Sequence, residues 1–382
     1  MDFKNTGPVF PAGDGLKGKA VFMKITKVTI DKFNVPLAEP FEVAFGVIEG
    51  ADSWIVKIET DEGLYGLGSA SPLAFVTGET SETCRLVMDM FAKAFIGFDP
   101  LDIAGAHALM ESLIYSNGSA KCAFDVALYD IIGKAQNLPV YKVLGGTDPV
   151  VHNDITIGIN TPEVMAEHAH RYVHEKGFDI LKVKVGKDLE KDLYALELIR
   201  KEAGENVRIR IDANQGYDVE TALAALAAYE KIGIDAAEQF LPWWDFDGAA
   251  ELMRRNTTSV KLMLDESIHT VYDARRAVSM KCCDFYNIKL MKCGGLYTGA
   301  QIADVAEENG IGCMVGCMEE NKISLTAGIS LVAAKKAVVE ADCDSFMFFK
   351  NDDDGIRGGF DRRGDIFTLL EKPGLGILEE DL

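Results

Sequence analysis

Three acidic residues occur at nearly equal intervals in the second half of the 382-residue sequence, each at the end of a short apolar segment. They are Asp212, Glu238 and Asp265. Carboxylates brought together would repel one another unless a cation lay among them, and a ligand set made only of oxygen atoms suits a hard ion such as Mg²⁺. One acidic residue at a strand end is more often a helix cap, but the repeated spacing predicts a magnesium site formed by all three.

Three lysines occupy similar positions. Lys182 and Lys184 end an earlier apolar segment, where their spacing of two points both side chains to one face of a strand, and Lys289 ends a later segment. A metal and a second ammonium nearby would lower the pKa of a lysine towards the range in which it acts as a base. We therefore expect Lys184 and Lys289 to face each other and to move a proton at the α-carbon of a carboxylate substrate, while the metal stabilises the enediolate.

Short apolar segments carry these residues and recur through positions 150–349, with amphipathic segments between them. Strands buried on both faces have this composition, and a parallel barrel requires a helix after each strand. A doubly wound sheet is the competing fold, but a barrel brings the charged residues at successive strand ends to one mouth. The predicted strands are 151–158, 180–185, 207–211, 234–238, 260–264, 285–290, 312–316 and 345–349.

The pattern before residue 150 is different. Apolar and polar side chains alternate first, and helical periodicity follows, which together indicate a small α+β domain at residues 23–149. Residues 1–22 precede this pattern and are interpreted as an N-terminal extension. The predicted strands are 24–34, 52–60 and 64–70, and the predicted helices are about 77–95, 103–115 and 119–136.

Bulk composition limits the classes of partner. The 39 basic and 60 acidic side chains give a net charge of −21, which would repel nucleic acid and anionic membranes. No apolar run is long enough to span a bilayer and the first residues do not resemble a secretory signal, so we expect a cytoplasmic protein. The eight cysteines are expected to be reduced core thiols with no role in metal binding. A homo-oligomer is left open.

From Met23 onward, the sequence resembles the enolase superfamily, in the subgroup of muconate-lactonizing enzymes. The resemblance implies an α/β fold, a modified TIM barrel of the (β/α)7β type, with an α+β capping domain to which residues 350–382 return. It also implies Mg²⁺ and a lysine acid/base pair. The motifs that carry it are Pro72 with Thr77-Gly78-Glu79, the segment 120–146 around Asp125 and Asp130, Lys182-Val183-Lys184, Asp212-Ala213-Asn214, Glu238-Gln239, Asp265-Glu266-Ser267 and the segment 287–295 around Lys289 and Lys292.

Within that subgroup, the run Cys317-Met318 and above all Asp342-Cys343-Asp344 resemble the dipeptide epimerases. The resemblance implies that Asp342 and Asp344 hold the free α-ammonium group of a dipeptide. It further implies that the remaining side chains of the substrate site, which orient or line the dipeptide, are Thr156, Lys182, Cys317 and Glu319.

Two positions depart from that family. Members that take an acidic second residue carry an arginine where we align Gly46, so Ala-Glu is not expected to be the preferred substrate. Glu319 stands where an apolar residue is usual, and we hypothesise that it favours a basic second residue, although a side chain turned to solvent is an equally good interpretation.

Other readings use the same residues. Cycloisomerases, o-succinylbenzoate synthases and N-acylamino acid racemases have the same lysines and metal, but their substrates lack a free ammonium group. A phosphate-binding barrel would instead use Lys292 and the Gly294-Gly295 turn at a helix start. A binding protein without catalysis is a further alternative, which the intact lysine pair disfavours.

Overall fold

The computed structural model describes residues 23–382, so the predicted extension at 1–22 lies outside the described part of the chain. The first described elements form a three-stranded antiparallel sheet in the order β1 (Ile25–Val43), β2 (Gly46–Thr60) and β3 (Tyr65–Ala70). The first two strands are longer than predicted, because their pairing resumes between Phe41 and Ile48 after a register shift that follows Pro36. This extended hairpin carries aromatic side chains to the barrel.

The next helices in the chain, up to Val143, pack against this sheet, and strands β1–β3 with these helices are called the cap. The helices are α1 (Ala74–Thr77), α2 (Ser81–Ala94), α3 (Ile103–Leu113), α4 (Gly118–Gln136) and α5 (Val140–Val143). Helix α4 is almost entirely buried. It lies directly against β3 because Gly66 and Gly68 lack side chains, since a Cβ atom at either position would come within 1.9 Å of a carbonyl oxygen of α4.

Eight parallel strands form the second unit, and each is hydrogen-bonded to the next in chain order. The first and last strands also meet, because the Asp154 N–H donates to the carbonyl oxygen of Ala341 at 3.1 Å, which closes the barrel. The strands are β5 (Ile155–Ile157), β6 (Ile180–Lys184), β7 (Arg208–Asp212), β8 (Ala236–Glu238), β9 (Lys261–Leu264), β10 (Phe285–Lys289), β11 (Gly312–Gly316) and β12 (Val338–Asp342).

Helices connect these strands, and polar side chains at their starts define where they begin. In six of these helices, the side chain of the residue before the first turn accepts a hydrogen bond from a backbone N–H of that turn. These residues are Thr161, Asp188, Asp218, Asp245, Thr270 and Asn321. The helices are α6 (Pro162–His170), α7 (Leu189–Ala203), α8 (Val219–Ile232), α9 (Phe246–Arg255), α10 (Val271–Met280), α11 (Leu290–Cys293), α12 (Leu296–Glu308) and α13 (Lys322–Ala334).

Two predicted strands are corrected. The segment 151–158 forms two strands, since β4 (Val150–His152) belongs to a separate sheet and only β5 enters the barrel. The segment 345–349 is not a strand: Ser345–Phe348 is a 3-10 turn and the eighth barrel strand is β12. The aromatic run misled the prediction because Phe346 is buried by ring contacts with Phe360 and Phe367 instead of by strand pairing.

The chain then returns to the cap. Strands β13 (Phe360–Arg363) and β14 (Ile366–Leu369) pair with β4 in a small antiparallel sheet. Beyond them, the Leu375 N–H donates to Asp130 of α4 at 2.8 Å. Among the described residues, no helix is both long and apolar enough to cross a membrane.

Candidate active site

The three predicted metal ligands meet at the carboxyl ends of adjacent barrel strands. Asp212 ends β7 and Glu238 ends β8, where strand register pairs the two residues, and Asp265 directly follows β9. Each residue is at most 2% exposed, and one oxygen atom from each carboxylate lies within 4.8 Å of the other two. Consecutive parallel strands thus bring together three acidic residues that lie more than twenty positions apart in the chain.

Neighbouring side chains hold these carboxylates in place. Asn287 donates to Glu238 Oε1 at 2.7 Å, Lys292 donates to Asp265 Oδ1 at 2.5 Å, and the backbone N–H of Asn214 donates to Asp212 at 2.9 Å. The other oxygens of Glu238 and Asp265 are buried and lie beside ammonium groups, at 2.9 Å from Lys182 Nζ and 3.0 Å from Lys289 Nζ. Buried oxygen atoms of this kind suit a hard divalent cation, so the donor set fits Mg²⁺.

The lysines point into the same mouth. Lys184 Nζ lies 2.7 Å from Asp212, and Lys289 Nζ lies 3.0 Å from Asp265. Three barrel strands separate β6 from β10 in either direction, so the two lysines extend from opposite walls. Lys182 lies one layer deeper, with Nζ distances of 2.7, 2.9 and 3.2 Å to Asp342, Glu238 and Asp212.

The charges of this cluster shift the pKa values of the lysine and carboxylate groups within it. Burial alone lowers the pKa of Lys289, but the carboxylates, above all Asp265, raise it above its ordinary value. The lowering of a lysine pKa expected beside a metal stays a prediction, because the carboxylates that raise the pKa of Lys289 include those predicted to bind the metal. Burial, together with the charge of Asp212, raises the pKa of Glu238 to about 7.

Asp342 and Asp344 form a second acidic group beside the lysines. Thr156 donates its backbone N–H to Asp344 at 2.7 Å and its hydroxyl to Asp342 at 3.3 Å. Burial and the nearby charge of Asp342 raise the pKa of Asp344 to about 7. Sequence reasoning missed a third member, Asp154, whose carboxylate oxygen lies within 4.8 Å of this pair and 3.1 Å from Arg210 Nε. The available signal was its position two residues before Thr156, since side chains two positions apart on a strand point to the same face.

A pocket of about 520 Å³, counting the part open to solvent, lies above these groups. The structure brings together all eight residues predicted to act on the substrate, and all of them line it: Thr156, Lys182, Lys184, Lys289, Cys317, Glu319, Asp342 and Asp344. The cap supplies apolar side chains to the opposite wall: Phe41, Val43, Phe45, Ile48, Leu73 and Val76. The pocket thus has charged side chains from the barrel on one side and apolar side chains from the cap on the other.

The residues considered for phosphate binding have structural roles instead. Lys292 is buried, and its ammonium group also donates to the backbone carbonyl oxygens of Asp265 and Asn287. At the start of α12, the carboxylate of Asp125 accepts the N–H groups of Leu296 and Tyr297 at 2.5 and 3.2 Å. Because a carboxylate already caps this helix, the phosphate-binding hypothesis loses its site.

Comparisons with known proteins found matches along most of the chain. Family models match residues 25–145 as the mandelate racemase/muconate lactonizing enzyme N-terminal domain and residues 164–379 as the enolase C-terminal domain-like region. A hydrophobic dipeptide epimerase from Enterococcus faecalis is 39% identical over 93% of this chain and 99% of its own. The crystal structure of the dipeptide epimerase from that organism, complexed with Mg and L-Leu-L-Tyr, superposes with a TM-score of 0.89 at 38% identity, covering 93% of this chain and 99% of that one.

Two further relatives carry other names. An L-Ala-D/L-Glu epimerase from Clostridium acetobutylicum is 37% identical over 93% of this chain and 99% of its own. An N-succinyl-L-Arg/Lys racemase from Bacillus cereus is 36% identical over 94% of this chain and 96% of its own. Domain models and relatives together span nearly all of the described residues, and the chain belongs to the mandelate racemase/muconate lactonizing enzyme family of the enolase superfamily.

Proposed function

We propose that the protein is an isomerase that epimerises dipeptides by proton transfer at an α-carbon, with Mg²⁺ as its cofactor. The observation that carries this proposal is the presence in one pocket of opposed lysines and a buried pair of aspartates. Relatives of similar length are named dipeptide epimerases, which supports it. On this proposal, residues 23–149 act as a capping domain and residues 150–349 as the catalytic barrel.

The lysine pair accounts for inversion. One of Lys184 and Lys289 removes the α-proton of the bound dipeptide, and the other returns a proton to the opposite face of the planar enediolate. Mg²⁺ held by Asp212, Glu238 and Asp265 would supply the positive charge that stabilises the enediolate and favours a neutral lysine. The reverse reaction exchanges the roles of the two lysines, so both epimers are substrates.

The aspartate pair selects the substrate. Asp342 and Asp344 hold the free α-ammonium group, while Thr156 and Lys182 orient the dipeptide. The second side chain faces the cap, where the six cap residues that line the pocket are all apolar. Gly46 adds no charge there, so a dipeptide with an acidic second residue is expected to be a poor substrate.

Hydrogen exchange tests the reaction directly. A dipeptide library incubated with the protein and Mg²⁺ in D₂O should gain one mass unit at the α-position, as measured by mass spectrometry. Exchange should disappear with a chelator and in both Lys184→Ala and Lys289→Ala. If no dipeptide gains deuterium with the metal-loaded wild type, the proposed function is wrong.

A double variant separates dipeptide epimerisation from the alternative reactions. Asp342→Asn with Asp344→Asn should abolish turnover of dipeptides, because no carboxylate remains for the ammonium group. The same variant should spare activity on substrates of an o-succinylbenzoate synthase, N-acylamino acid racemase or cycloisomerase, which lack that group. Wild-type turnover of those substrates but not of dipeptides would favour the alternatives.

Rates on three dipeptides test the expectation at Gly46. Ala-Lys and Ala-Phe should be epimerised faster than Ala-Glu, because the apolar cap wall offers no cation to a second carboxylate. A clear preference for Ala-Glu would contradict it.

A further inference from the structure

Among residues 23–382, Glu319 is the one charged residue lining the active-site pocket whose side chain has no hydrogen bond or ion pair to another residue, although its own backbone N–H contacts the carboxylate. The lysines of the pocket contact Asp212, Asp265 or Asp342, and the aspartates contact Lys182 or Thr156. Glu319 itself is half-buried. Carboxylates in such surroundings normally have a partner, so this unpaired group requires an explanation.

The loop that carries Glu319 is held on both sides. The Met318 N–H donates to the buried carboxylate of Glu320 at 3.0 Å. The Glu320 N–H donates to Ser345 Oγ at 3.0 Å, and Ser345 returns a hydrogen bond to the Glu320 carbonyl oxygen at 2.9 Å. Both neighbours of Glu319 are buried and fixed, and Glu319 itself lines the pocket.

The surroundings of Glu319 make an unpaired negative charge unfavourable. Apolar side chains, including Phe348, form much of the same pocket. Burial raises the pKa of Glu319, and Lys289 and Lys184 only partly offset this effect. Both ammonium groups already have carboxylate partners closer than Glu319, so a cation supplied from outside the protein would stabilise it most.

We propose that Glu319 selects dipeptides that carry a cationic side chain, such as lysine or arginine. This inference rests on the proposed epimerase function and names its substrate class. Glu319 lies on the loop after β11, between the ends of the strands that carry Lys289 and Asp342. A lysine or arginine side chain of a dipeptide held by Asp342 and Asp344 therefore enters the part of the pocket that Glu319 faces.

Matched pairs of substrates test this inference in the wild-type protein. Ala-Lys is compared with Ala-Met, and Lys-Ala with Met-Ala, since the side chains of lysine and methionine are similar in length. In at least one pair, we expect kcat/KM to be about tenfold or more higher for the lysine dipeptide, as for a charge-assisted hydrogen bond. This comparison needs no variant and so does not depend on whether a variant folds.

Variants then assign the preference to one side chain. Glu319→Gln keeps the shape of the side chain and should remove the preference for the lysine dipeptide over the methionine dipeptide. Glu49→Gln removes an exposed charge from β2 and serves as the control, which should keep the preference. Glu319→Lys should lower kcat/KM for lysine dipeptides further than Glu319→Gln does.

Each other outcome overturns the inference. Equal rates on both members of both pairs would leave the epimerase function standing but refute selection by Glu319. A Glu319→Gln variant that loses activity equally on all four dipeptides would show that Glu319 serves the chemistry or the fold instead. If no dipeptide exchanges its α-hydrogen at all, the proposed function and this inference fail together.

Discussion

The two ends of the barrel both contain charged side chains, yet they are organised differently. Strand β7 contributes side chains to both ends, because Arg208, Arg210 and Asp212 follow one another along its inward face. At the amino-terminal ends of the strands, a second pocket of about 460 Å³ contains Arg208, Arg210, Asp235, Lys261 and Glu340 among its lining residues. At the carboxyl ends lies the mouth with the three carboxylates and the lysines.

At the amino-terminal end, both arginines that line the pocket have carboxylate partners. Arg208 lies 2.9 Å from Asp235 and 2.6 Å from Glu340, and Arg210 lies between Asp154 and Glu340. At the mouth, by contrast, Asp212, Glu238 and Asp265 lie within 4.8 Å of one another, and Lys182 is shared among several carboxylates. The difference teaches that carboxylates are paired with guanidinium groups where the barrel needs only stability, and clustered together where it is proposed to bind a cation and react.

The largest expected effect is at the mouth. Lys184→Ala and Lys289→Ala should each lower kcat for dipeptide epimerisation by about 10²- to 10⁴-fold, because each removes an acid/base group. The thermal unfolding midpoint should fall by less than in Arg210→Met, since Lys182 still pairs with Asp212 and Lys292 still pairs with Asp265. Steady-state polarimetry and thermal denaturation measure the two effects. Full activity in either variant would show that the reaction does not need that lysine, and the proposed difference in role between the two ends would be wrong.

The opposite result is expected for Arg210 at the other end. Arg210→Met should lower the free energy of unfolding by about 3–5 kcal/mol, because it leaves the fully buried Asp154 without its guanidinium partner. Activity per folded molecule should stay within about threefold. Urea denaturation and active-site titration check this. Lost activity with unchanged stability would mean that this end also takes part in function.

Substrate binding should depend on pH through the aspartate pair. Burial and Asp342 raise the pKa of Asp344 to about 7, so Asp344 becomes protonated as the pH falls below about 7 and loses its attraction for an ammonium group. The dissociation constant of a dipeptide should then rise about tenfold per pH unit, as calorimetry would show. Asp344→Asn should bind weakly at all pH values. An affinity of the wild type that stays constant down to pH 5 would contradict the assignment.

The smallest effect is expected from Arg208. Its side chain is 48% exposed, in contrast to the buried Arg210, so solvent screens its ion pairs with Asp235 and Glu340. Arg208→Gln should change the free energy of unfolding by less than about 1 kcal/mol and leave kcat unchanged. A loss as large as that for Arg210→Met would show that burial does not set the energetic weight of these pairs.

Much of this protein follows from local sequence pattern. Apolar segments at regular spacing predicted the parallel barrel, and the inward periodicity of two placed Lys182 and Lys184 on one face. Asp212, Glu238 and Asp265 were predicted to converge because parallel strands bring their carboxyl ends to one edge. These features depend on strand geometry, which a short segment specifies without information from distant residues.

Only the tertiary structure decided the remaining features. Two apolar segments near the end of the barrel, 338–342 and 345–349, could each supply the eighth strand, and pairing with β11 selected the first. Asp154, directly before β5, meets Arg210 of β7 although β6 lies between these strands, and the loop that carries Glu319 is held by a hydrogen bond to the distant Ser345. Such outcomes depend on contacts between residues far apart in the chain, and a local pattern of side chains does not encode which distant partners will be in reach.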